Sequence, residues 1–271
     1  MQKAEFHLLS MKFLRIEKRT VGMSLASEMA YKTNFYIKAF AMVLSDFVGP
    51  LLTLLIYSAT LGIPGWTLNE FLLFQGTLIL VFGLGHTFTM HFPYEVIHCI
   101  REGEFDKYLV KPYNTLLYLL AESFIIDGLP EVAVGICLVA YTMFKLGLSV
   151  FSFSFFWYAV LVAAGLLMQV AIVVFISASA FLVVRSEALM QLYFKISDFV
   201  RYPLNVYALG IQFALTFLLP LAVSSFYPAE VLLRGATLKI LLSVLIPVIL
   251  FTALSVFLWN LAMKKYTSAG G

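Results

Sequence analysis

Repeated long apolar runs constrain this chain more than any other feature. They lie near residues 36–61, 71–92, 116–144, 153–184, 207–226 and 238–263. A helix needs roughly 20 apolar residues to cross a bilayer, so these runs predict about six transmembrane helices. Side chains are 62% hydrophobic and 12% charged over 271 residues. A soluble domain could not cover that much apolar surface. The expected fold class is an all-α membrane protein with one transmembrane domain over 36–265. The runs leave no room for a soluble catalytic domain of ordinary size, which takes roughly 100 residues.

The ends are more polar. Residues 1–35 mix Lys3, Lys12, Arg15, Lys18 and Arg19 with Phe6, Leu9, Phe13 and Ile16 at helical spacing. That pattern predicts an amphipathic helix lying at the membrane surface. It lacks the apolar core and cleavage site of a signal peptide. Lysines and arginines are biased to one side: seven up to Lys38, then Arg101, Lys107 and Lys111, then Arg185, Lys195 and Arg201, then Lys264 and Lys265. By the positive-inside rule that side is cytoplasmic. Both termini are expected there, including the tail 266–271, in a multi-pass protein of the cytoplasmic (inner) membrane. The segment 185–202 reads as an interfacial helix on the same side. Residues 221–235 read as a helix that dips back or lies at the outer surface. Cys99 and Cys137 are expected to stay unpaired.

No phosphate-binding loop, dinucleotide fingerprint, nucleophile elbow or zinc-protease helix is present. No catalytic residue and no cofactor are therefore assigned to this chain, and nothing points to nucleic acid. His86 and His91 are five apart, poor spacing for one helix face, so no metal site is assigned. Gly83 and Gly85 read as close helix packing. Acidic residues in apolar surroundings are the sharper signal: Asp46, Glu122, Asp127 and Glu131. A charge in hydrocarbon normally faces a cavity or a partner. Two readings stay open, contact with a cationic or polar substrate and structural pairing. No basic residue is placed deep in the membrane to pair with them. Tyr57 and Phe74 are aromatic candidates for a pathway in the early spans.

The polar loop 93–113 can dock on a partner, with Ile100, Phe105, Leu109 and Val110 among charges. It ends in Gly103-Glu104-Phe105-Asp106, then Leu109, Lys111 and Pro112. This segment resembles the cytoplasmic loop of ABC type-2 exporter permeases. Similar stretches follow in order: Tyr202-Pro203-Leu204 with Tyr207, Leu219-Pro220 before Phe226-Tyr227-Pro228-Ala229, and Trp259 before Lys264-Lys265. The resemblance implies a permease subunit paired with a second permease, identical or a sister, in membrane lipid. It also implies a separate ATPase subunit that binds ATP and Mg, coupled through Arg101, Glu102, Glu104, Phe105 and Asp106. Re-entrant helices are implied between the last two spans. The main rival is a proton-coupled carrier using Asp46, Glu122 and Asp127. A lipid-directed membrane enzyme and a membrane scaffold are the remaining classes.

Overall fold

The computed structural model describes residues 18–181 and 187–267. Residues 1–17, which carry most of the expected surface helix, lie outside the described residues. Residues 18–30 are helical (α1) and run into α2 (Lys32–Ala59). Next come α3 (Leu68–Thr89) and α4 (His91–Arg101), which together form one 34-residue apolar stretch. At 1.5 Å per residue that stretch is about 51 Å long. It therefore overshoots a hydrocarbon core of roughly 30 Å. The third run breaks, as its Asp127, Gly128 and Pro130 predict. It forms α6 (Thr115–Glu122), a 3-10 turn and α7 (Leu129–Leu146). The helices α8 (Phe153–Ala180) and α12 (Leu238–Met263) match the expected fourth and last spans, although 182–186 is outside the described residues. Among the described residues, five stretches are long and apolar enough to cross a membrane.

Glycine sets the closest approach in the bundle. A Cβ on Gly135 of α7 would stand 2.5 Å from the Leu80 backbone nitrogen of α3. One on Gly83 would stand 2.7 Å from the Val132 nitrogen. Gly83 thus closes α3 onto α7, while Gly85 faces Gln169 of α8. In lipid, where apolar burial drives nothing, such backbone proximity is what holds helices together. α12 packs along the other side of α8, with Trp259 buried among Phe92, Phe105 and Phe181.

The fifth crossing departs from expectation. The run 207–226 forms no single span. Its apolar helix covers only Leu209–Leu218, about 15 Å at helical rise. The crossing lies earlier, from α9 (Glu187–Ser197) through 3-10 turns at Asp198–Arg201 and Leu204–Val206. Phe194 of α9 shares a cavity wall with Met90 and Tyr94 near the end of the bundle that bears Lys107 and Lys264. Asn205 reaches the opposite end. Its Nδ2 donates to the Pro64 carbonyl (3.0 Å), and Trp66 Nε1 donates to its Oδ1 (3.2 Å), both in the α2–α3 turn. From 187 onward, the segment expected as an interfacial helix is instead packed along the bundle, while 185 and 186 lie outside the described residues. It runs the depth of the bundle and takes Lys195, Asp198 and Arg201 with it.

Residues 209–234 then form a re-entrant hairpin. α10 (Leu209–Phe213) continues as a π turn (Ala214–Leu218) that dips beside Leu242, Ile246 and Leu250 of α12. The turn at Leu219–Ser225 packs on Gly165 of α8, and Ser225 Oγ donates to the Val200 carbonyl (3.0 Å). α11 (Phe226–Arg234) returns outward, where Arg234 donates to the Gly65 carbonyl (2.8 Å) and pairs with Glu230.

Candidate functional site: a braced polar loop and a charged cavity

Two regions carry the polar chemistry. The first is the loop after α4. Gly103 adopts φ +71°, the left-handed conformation glycine tolerates best. The chain reverses there, with Glu104 N donating to the Cys99 carbonyl (2.8 Å). Phe105 is thereby driven inward. It is fully buried against Phe181 (ring centroids 5.0 Å apart) and Tyr266 (5.3 Å). The short helix α5 (Asp106–Leu109) follows. Tyr108 Oη donates to Glu95 Oε1 (2.7 Å), and Lys107 pairs with Glu104 (3.0 Å). Burial, together with Glu95, holds the Tyr108 phenol protonated well above its ordinary range. Lys111 Nζ sits 3.8 Å from the centre of the Tyr118 ring. It is also 3.9 Å from Glu122, which accepts a hydrogen bond from Tyr118. Asn114 caps α6.

This architecture corrects the expected coupling set. Arg101, Glu102 and Glu104 are exposed and Asp106 is half-buried, so these four border the surface. Phe105 does not face outward; it anchors the loop to the ends of α8 and α12. The outward apolar residues are Val110 (82% exposed) and Leu109 (42%).

The second region is a cavity of about 430 Å³ among α2, α3, α7 and α9. Its walls carry Asp46, His86, Glu131, Lys195, Asp198 and Arg201, with Phe82, Tyr94 and Phe194. His86 Nδ1 lies 3.1 Å from Glu131 Oε1, and Arg201 Nε donates to Asp198 (3.1 Å). Among the described residues Asp46 makes no salt bridge, and its buried Oδ2 accepts no hydrogen bond.

The four sequence-predicted acids thus part company. Asp46 and Glu131 share the cavity. Asp127 pairs with Lys38 (3.2 Å), which also reaches Glu28 (3.4 Å). Glu122, at the end of α6, pairs instead with Lys111 of the loop. Basic partners for the membrane acids exist after all, in Lys38, His86 and Lys111. A relay through Asp46, Glu122 and Asp127 has no common site. Tyr57 and Phe74 do not line this cavity: Tyr57 donates to the Trp66 carbonyl (2.8 Å), and Phe74 is buried against Trp66. The histidines also separate, His91 lying 3.9 Å from Glu95. Among the described residues no three His, Cys, Asp or Glu side chains converge on a metal position. Lys195 and Arg201 escaped sequence reasoning because charges in a hydropathy trace read as loop. The signal that could have found them is the helical spacing of Met190, Tyr193 and Ser197, which are buried on one face.

A family model described as ABC-2 family transporter protein spans residues 40–270. The chain belongs to the ABC-2 transporter family. Family membership makes it a membrane component of an ABC transporter, and its long apolar helices suit a multi-pass protein. The match takes in the loop, the cavity, the crossing 187–206 and the re-entrant hairpin. No curated protein and no solved structure matches the chain.

Proposed function

We propose that the chain is the permease subunit of an ATP-driven exporter in the cytoplasmic membrane. A separate ABC ATPase subunit, which itself binds ATP and Mg, docks on the loop between α4 and α6. A second permease subunit, identical or a sister, completes the pathway, and both termini lie in the cytoplasm. One observation carries this reading. A charged surface with two exposed apolar residues, Leu109 and Val110, is braced by buried aromatics to α8 and α12. An exposed apolar pair ringed by charge suits a partner groove, and the buried Phe105 makes the loop rigid enough to transmit a displacement. ATP binding closes the ATPase pair, pushes the loop, and shifts access to the cavity. That coupling requires ATP to favour one access state over the other.

The test is purification of the tagged chain in mild detergent from cells expressing its genomic neighbours, followed by an ATP-turnover assay. A co-purifying ATPase in equal amount is the expected result. A chain that purifies as a stable oligomer without any ATPase overturns it.

A further inference from the structure

Two charges in the cavity lining are unanswered. His86 answers Glu131 and Arg201 answers Asp198. That leaves Asp46 on α2 and Lys195 on α9, neither with a salt-bridge partner among the described residues. Unpaired opposite charges that share a cavity wall yet do not join each other call for a ligand that satisfies both. A second cavity of about 380 Å³ continues from the first, sharing Asp46, Leu78, Ile79 and Arg201. Its walls are mostly apolar, including Val48, Leu52, Ile56 and Phe71. The charges beyond the shared Asp46 and Arg201 all line the first cavity, while the second adds uncharged groups, apolar ones beside Ser45, Thr53 and Gln75. Each cavity has the size of a drug-like ligand site, roughly 300–1,000 Å³. α2 closes the site loosely, with Leu44, Phe47 and Leu51 about half exposed on its surface.

We infer that this double cavity is the substrate site and that it takes a zwitterionic amphiphile. The ammonium group sits at Asp46, the anionic group at Lys195, and the apolar body in the groove beside Val48 and Ile56. This assignment rests on the permease reading, but its test does not use the ATPase. A diacyl lipid exceeds the combined space, so a single-chain amphiphile is the probe.

The experiment titrates the full chain in a maltoside detergent with lysophosphatidylethanolamine, and reads bound adducts by native mass spectrometry. Lysophosphatidylglycerol, which lacks the amine, and dodecyltrimethylammonium, which lacks the anion, run in parallel. The expected result is at least tenfold tighter binding of the zwitterion than of either single charge. Asp46→Asn and Lys195→Gln should each weaken the zwitterion about tenfold, and Glu122→Gln should leave it unchanged. Equal adducts for all three amphiphiles overturn the proposal, as does zwitterion binding that ignores both cavity substitutions. Preference for the simple cation, unaffected by Lys195→Gln, overturns the anionic half and with it the zwitterion. An ATPase that fails to co-purify while these adducts appear as expected sinks the exporter reading and leaves the site standing.

Discussion

The two faces of α3 are packed in opposite ways. On one, Gly83, together with Gly128 and Gly135 from across the seam, lets its backbone meet α7 with no room for a methyl group. On the other, toward α2 and α9, side chains stand apart and leave two connected cavities lined by charge. A seam that tight moves as one body, since packed cores do not deform continuously. A seam that loose can open. The contrast makes α3 with α7 the rigid frame and leaves α2 and α9 around open space.

The largest effect expected is on the tight seam. Gly135→Leu forces a side chain into the α3 backbone and should cost about 3 kcal/mol or more, since overpacking typically costs 1–3 kcal/mol and backbone cannot yield. Thermal unfolding in detergent checks it; an unchanged midpoint would dissolve the frame argument. Next is the aromatic brace. Phe105→Ala removes a fully buried ring and should cost about 3–5 kcal/mol if the site cannot collapse, with loss of coupled ATP turnover. A variant with wild-type stability and turnover would show that the brace transmits nothing. Smaller in stability but sharper in function is Leu109→Asp with Val110→Asp. Both sites are exposed, so stability should move by no more than about 0.5 kcal/mol, while the ATPase subunit is lost from the purified complex. Retention of the ATPase at wild-type level would move the docking surface elsewhere. The smallest effect is on the loose face. Asp46→Asn removes an unpartnered charge and should leave the unfolding midpoint unchanged or slightly raised, because an unpaired buried charge stabilises nothing. A marked loss of stability would mean Asp46 has a structural partner.

The frame was legible in the sequence and the loose side was not. α8 and α12 are unbroken apolar runs, so hydropathy alone finds them. The break before α7 announces itself through Asp127, Gly128 and Pro130. The fifth crossing hides because Lys195, Asp198 and Arg201 interrupt it. They can lie there only because they line a cavity or pair with each other, which is a tertiary fact. The apolar run after Tyr207 imitates a span, yet Pro220 and the turn at Ser225 fold it back on itself. The polar loop after α4 was legible as a location but not as a surface. Phe105 and Val110 are both apolar and five residues apart. Only the reversal at Gly103 decides that the first turns inward and the second outward. The pairing of Asp127 with Lys38 spans 89 positions, beyond any local pattern.

The proposed ATPase contact is the loop tip. A photo-crosslinking amino acid at Val110, with a second at Phe213 on the opposite part of the bundle as control, tests it in membranes. Val110 is expected to crosslink to an ATP-binding subunit and Phe213 is not. Crosslinks from Val110 to lipid alone, with the ATPase captured from Phe213 or from neither, would contradict it.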